Sequence, residues 1–236
     1  MNAGTLYLIP TPLAPGTATI PAATRERVSA LAYFVAEEPK SARAFLKAIG
    51  HPRPLAELRI APLAGDASDA RLDELLAPVR QGADAGVLSE AGAPAVADPG
   101  ALLVRRAHAS GIRVRPLVGP SAILLALMAS GLEGQRFAFH GYLPVEGAAL
   151  RTRLRALEAD SRRARRTELF IETPYRSDRM LQAITETCAP DTLVCIAADL
   201  TAEEESIATR TVAQWRTLPG AIGRRPAVFL LLAAPR

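Results

Sequence analysis

The chain has 236 residues, 49% hydrophobic and 22% charged, with 28 basic against 24 acidic side chains, a formal charge of +4 and a pI near 9.5. These are ordinary globular values, so disorder is excluded as the leading reading, and the length suits one large domain or two compact ones. The mild basic excess, nearly all arginine, permits a polyanionic partner without requiring one, and an alanine- and arginine-rich chain more commonly reflects codon bias.

In chain order, short β-like runs alternate with helical patterns. TLYLI (5–9), YFVAE (33–37), AGVLS (85–89) and IRVRPL (112–117) read as strands, and 41–49, 68–81 and 101–110 as helices, with apolar residues recurring at three- and four-residue spacing. Ser68 is a candidate N-cap, and Gly111 follows the third helix as a candidate C′ residue. Alternation of this kind predicts a parallel-rich α/β layer. After VGPS (118–121) the texture changes: a helix at 121–130 precedes strands at 137–144, 168–173, 193–198, 206–212 and 227–233, with helices at 147–160 and 174–188. Closely spaced late strands favour a mixed sheet with antiparallel pairing. The expected organisation is two α/β domains, 1–118 and 119–236.

Cys188 and Cys195 lack a metal or redox spacing, and the three histidines, His51, His108 and His140, are scattered, so no metal site is expected. The start, MNAGTLYLIPTPL, has no basic segment of a signal peptide, and the longest apolar run, 121–132, is short of the roughly 18 residues a membrane span requires. A soluble, cytoplasmic protein is expected.

Three turn-rich segments follow strands: IPTPLAPG (9–16), SEAGAPAVADPG (89–100) and VGPSA (118–122). Neither G-x-G-x-x-G nor G-x-x-x-x-G-K-[ST] is present, so a classical dinucleotide fold or nucleotide triphosphatase is not indicated. Small residues in 89–100 would let a ligand lie against the backbone. The same segment also fits an ordinary strand–loop–helix connection with Asp98 as N-cap. The run LRTRLRALEADSRRARR (150–166) carries seven arginines and reads either as a phosphate-binding helix or as a solvated basic helix end.

LYLIPTPL, AEEPKSAR (36–43), SEAGAPAVADPG, GIRVRPLVGPSA (111–122) and FHGYLP (139–144), in this order, resemble the tetrapyrrole methylase superfamily of S-adenosylmethionine-dependent methyltransferases. Within it they are most similar to the 16S ribosomal RNA 2′-O-ribose methyltransferase I family. The resemblance implies a homodimer of two-domain subunits, with the cofactor in the interdomain cleft and ribosomal RNA or the small subunit as substrate. Carried over, it assigns Leu13, Gly92, Ala93, Val96, Ser121 and Ala122 to the cofactor pocket, completed by Ile171, Ala197 and Ala227. Glu37, Glu38, Glu90 and Glu172 are the carboxylates available for acid–base work, with Glu172 and Glu38 ranked first because they fall in family motifs.

Three segments depart from the family pattern: Ser89-Glu90-Ala91-Gly92-Ala93-Pro94 for Ser-Asp-Ala-Gly-Thr-Pro, Glu37-Glu38-Pro39-Lys40 for acid-Asp-Thr-Arg, and Glu172-Thr173-Pro174-Tyr175-Arg176 for Glu-Ser-x-His-Arg. Longer relatives carry a C-terminal extension. The departures leave two alternatives open, a methylase of a tetrapyrrole or other small acceptor and a non-catalytic S-adenosylmethionine-binding regulator.

Overall fold

Residues 3–218 and 222–234 are described by the structure, a computed structural model. The chain divides into two compact units, Met1–Ser121 and Ala122–Arg236.

The first unit is a parallel five-stranded sheet built from β1 (Thr5–Ile9), β2 (Tyr33–Ala36), β3 (Arg59–Pro62), β4 (Ala85–Leu88) and β5 (Arg113–Pro116), in the order β3-β2-β4-β1-β5. Helices α1 (Ala22–Ser29), α2 (Pro39–Ala48), α3 (Asp69–Arg80) and α4 (Gly100–Ala109) connect the strands. Every residue of β2 and β4 is buried because helices cover both faces of the sheet. Tyr7, Ile9, Phe34 and Leu88 pack with Val28, Ala42 and Leu46 on one side, while Leu6, Val35 and Val87 pack with Leu72, Leu76, Leu103 and Ala107 on the other. Ser68 accepts a bond from the Arg71 amide at the start of α3, and Gly111, at φ +67°, follows α4, as its sequence position suggested.

One helix and one strand of this unit have no counterpart in the sequence reading. Helix α1 buries only Thr24 and Val28, too few to show a 3.6-residue period, and β3 is an exposed edge strand reading RIAP.

The second unit has a mixed sheet of β6 (Phe137–Tyr142), β7 (Thr167–Glu172), β8 (Leu193–Ala198), β9 (Ser206–Thr211) and β10 (Ala227–Leu232), in the order β6-β7-β10-β8-β9. Only β6 and β7 are parallel; the other neighbours pair antiparallel. One face carries Phe170, Ile196, Phe229 and Leu231 against α6 (Gly147–Ala164), α7 (Ser177–Thr187) and α8 (Val212–Trp215). Phe170 and Phe229 stack with centroids 5.6 Å apart, and the Trp215 indole N–H donates to the Val194 carbonyl at 2.9 Å. Helix α5 (Ala122–Ser130) covers the opposite face, where Thr209, paired with Cys195, donates to the Ser130 carbonyl.

Candidate functional site

Because the strands of the first sheet are all parallel, their carboxyl ends share one edge, where open α/β sheets present binding loops. The segments after β1, β2, β4 and β5 all start there. Two of them are joined by a pair of backbone bonds between Thr11 and Gly92, each 3.0 Å. The Ser89 hydroxyl donates to the Gly92 carbonyl at 2.6 Å and lies 3.2 Å from the buried Thr11 hydroxyl. The third segment joins by packing: Gly119 presses so closely on Pro10 that a Cβ there would stand 2.5 Å from the Pro10 Cβ. Leu13, Gly92, Ala93, Val96 and Ser121 thus all belong to segments that start from this edge.

The 89–99 segment holds backbone strain. Ala95 and Ala97 sit at φ +66° and +56°, in the left-handed region that costs an L residue about 1–2 kcal/mol, and Gly92 is at φ +75°. Asp98 stabilises this path by accepting from the Ala95 amide at 3.1 Å and the Gly100 amide at 2.6 Å. Its Oδ1 therefore organises the loop and the start of α4, the structural duty the sequence had left open. Among the described residues, the amides of Ala93 and Val96 donate to no protein acceptor, and Val96 is 46% exposed. Strained, small-residue backbone with open donors is what a close-lying polar ligand requires.

The acids sort differently from their sequence ranking. The Glu38 carboxylate accepts from the Lys40 amide at 2.8 Å and caps α2. Glu172 is buried at the end of β7, where its Oε1 accepts from the Thr173 amide at 2.7 Å and its Oε2 lies 2.5 Å from Arg176 Nη2 in an ion pair set off the hydrogen-bond direction. At Glu37, which follows β2, partial desolvation, then the negative charges of Asp98 and Glu90, push the carboxyl above the ordinary glutamate value. The motif that contains Glu37 does not reveal this, because the charges around it come from the segment after β4.

In the second unit, Ile171 and Ala197 both pair with Val228 and share its face, whereas Ala227 pairs with Glu172 and Ala198 on the other. The three lie together at one end of the sheet, but the Ala227 side chain joins the core under α6 and α7, and Ala122 begins α5.

The arginine run is also divided. Arg153 donates to His140 Nδ1 at 3.0 Å, His140 Nε2 lies 2.6 Å from Glu168, and Arg166 donates to the same fully buried carboxylate at 2.7 Å. Arg163 pairs with Asp160, and Arg162 donates to the Ala234 carbonyl. Of the seven arginines in the run, only Arg151, Arg155 and Arg165 are exposed with side chains that meet no protein partner among the described residues. The same residues contain no cluster of three His, Cys, Asp or Glu able to hold a metal ion, and no helix long and apolar enough to cross a membrane.

Residues 6–215 match the family model of tetrapyrrole (corrin/porphyrin) methylases. The ribosomal RNA small subunit methyltransferase I of Xylella fastidiosa (strain Temecula1) is 32% identical over 214 residues, which cover 91% of this chain and 75% of the relative. Its counterpart in Escherichia coli O157:H7 is 33% identical over 204 residues, covering 86% and 68%. Among solved structures, the methyltransferase CobJ superposes with a TM-score of 0.66 at 21% identity, covering 98% of this chain and 95% of that one, a likeness of fold.

Proposed function

Because the chain belongs to the tetrapyrrole (corrin/porphyrin) methylases and is a methyltransferase, we propose that it moves the methyl group of S-adenosylmethionine to a ribose 2′-hydroxyl of small-subunit ribosomal RNA. The observation that carries the acceptor is the similarity, over most of the chain, to relatives named for ribosomal RNA small subunit methylation.

The cofactor, when bound, supplies an electrophilic methyl on a sulfonium. In this reading the strained 92–97 backbone, with the unpaired amides of Ala93 and Val96, holds its polar end, and Leu13 and Ser121 border it. The chain's main contribution is to keep acceptor oxygen and methyl carbon in line, which supplies up to about 7–11 kcal/mol in favourable systems. A ribose hydroxyl is a weak nucleophile, and Glu37 is the group assigned to take its proton as the new carbon–oxygen bond forms. Its raised proton affinity suits that task better than the engaged carboxylates of Glu38 and Glu172, which act in this reading as positioning residues.

A homodimer belongs to the same proposal. Leu124 and Met128, one turn apart on α5, are 53% and 78% exposed, an apolar pair of the kind an interface covers. Cytoplasmic action follows from the acceptor.

The test is methyl-labelled S-adenosylmethionine with small ribosomal subunits lacking the modification. Label recovered on a 2′-oxygen after digestion is the expected result. No label, with cofactor binding intact, refutes the RNA acceptor and moves the assay to tetrapyrrole substrates.

A further inference from the structure

Beside the loops at the carboxyl edge, and sharing Val118 with the segment after β5, the first unit carries a groove of about 700 Å³ between α1 and the edge strand β5, walled also by Tyr7, Thr24, Arg27 and Arg115. Tyr7 and Arg115 are register partners on β1 and β5, so both side chains stand on the α1 face of the sheet. The Tyr7 ring, only 4% exposed, is a fixed platform: the Arg27 guanidinium carbon lies 5.2 Å and that of Arg115 5.9 Å from its centroid. Each distance falls within the range of a cation–π contact. Thr24 donates to the Val118 carbonyl at 2.7 Å and ties α1 to the segment after β5, which fixes the wall.

Two guanidinium groups gathered at one ring repel each other, and a protein with purely structural use for them pairs them with carboxylates. This chain does so elsewhere: Asp73 holds Arg80 and Arg106, Asp199 holds Arg225, and Glu168 holds Arg166. Among the described residues, the guanidinium groups of Arg27 and Arg115 make no ion pair and no hydrogen bond, and Glu26, on the same wall, is paired with neither. Arg113, exposed and two residues before Arg115 on the same strand face, extends the row by about 6.6 Å. Pro21 provides no side-chain cap for α1, so the positive end of that helix also meets the groove. The guanidinium fork suits phosphate oxygens, and a row of such groups along an open strand edge suits an extended chain of phosphates better than one small anion.

We propose that the α1–β5 groove is a phosphodiester clamp, in which Arg27 and Arg115, held on Tyr7, grip the backbone of an RNA strand beside the methyl-transfer loops. The clamp rests on the RNA reading of the acceptor. It positions RNA without reading sequence, and its signature is salt dependence.

The experiment measures binding of the full chain to a fluorescein-labelled oligouridylate by anisotropy across a salt series. The variants are R27Q/R115Q, R27K/R115K and, as a control on α6, R151Q/R155Q. Each phosphate contact on a single strand contributes about 0.7 to the slope of log affinity against log salt, so R27Q/R115Q is expected to lower its magnitude by about 1.4 and to weaken binding at low salt at least about tenfold. The lysine pair should restore most of the slope, and the α6 control should leave the groove's contribution in place.

An unchanged slope and affinity in R27Q/R115Q overturns the clamp, as does failure of the wild-type chain to bind the RNA. A change of the variant's mass in light scattering also overturns it, because the groove is then an interface between copies. Methylation of small ribosomal subunits, run in parallel, separates the two readings. Transfer by the wild-type chain with R27Q/R115Q binding unaltered removes the clamp alone; arginine-dependent RNA binding without ribose methylation removes the proposed function alone.

Discussion

Gly119→Ala is the most direct probe of how the loops at the carboxyl edge are held. An added Cβ would stand 2.5 Å from the Pro10 Cβ and 2.9 Å from its Cγ, where carbon atoms in contact prefer at least about 3.5 Å. The shortfall is about 1 Å, and the Pro10 ring cannot rotate away to relieve it. Either the 117–121 segment or the loop after β1 must therefore retreat by about that distance. Overpacking of this kind costs about 1–3 kcal/mol, and a displacement of about 1 Å at a reacting centre lowers rate by about a hundredfold.

Urea unfolding monitors the first quantity and methyl transfer to unmodified subunits the second. Gly65→Ala, with open space around the new methyl, is the matched control and should change neither. Pro10→Gly in the G119A background removes the opposing carbons and should recover part of the loss as a coupling of about 0.5–3 kcal/mol. If G119A unfolds and transfers methyl like the wild-type chain, the segments are not braced against each other and the argument for a preformed site fails.

Glu37→Gln should slow transfer by about 10²–10⁴-fold and abolish an acid limb of the rate profile that, in the wild-type chain, lies above the ordinary glutamate range; a retained limb assigns it to another group. Because a raised carboxyl binds its proton more tightly folded than unfolded, the same substitution should slightly stabilise the protein at neutral pH. Burial pushes the Cys188 thiol up to about 12 and raises Cys195, so neither should react with a thiol reagent at pH 8 until the chain is unfolded, and fast labelling of native protein would contradict that burial. Phe229→Ala, which removes a fully buried ring stacked on Phe170, should cost about 3–5 kcal/mol in denaturant unfolding. Arg106 and Arg80 hold the Asp73 carboxyl far below its usual range, so its stabilisation is complete above the unfolded value near 3.9 and is lost as pH falls toward the folded one; Asp73→Asn should remove that part of the acid dependence.

Elements with a strong pattern were legible from sequence. LVCIAA is β8 residue for residue, and TLYLI is β1, because runs rich in apolar and β-branched residues end at clear breakers. Helix α1 and β3 were not legible, since each buries too little to leave a period. The candidate site divides in the same way. Small residues and prolines announced the loops, whereas the Thr11–Gly92 bridge and the charges around Glu37 arise from strand order, which no local window contains.

The arginine run shows how far spacing misleads: Arg153 and Arg166 turn toward a buried His140–Glu168 pair that local sequence does not reveal. Conversely, Arg27 and Arg115 are unremarkable in sequence and meet only because β5 lies beside β1.

The place of β10 bears on the protein's synthesis. Residues 227–232 follow every other strand in the chain, yet they form the centre of the second sheet, between β7 and β8. The first sheet is complete by residue 116, so that unit can fold on the ribosome while translation continues. The second must wait with the β7 and β8 edges unpaired until β10 leaves the exit tunnel, an interval when strand-edge aggregation is the hazard and a nascent-chain chaperone has the most to protect. A stop codon or protease cut just before Ala227 would thus remove the keystone of a sheet, and such a product should be cleared as misfolded.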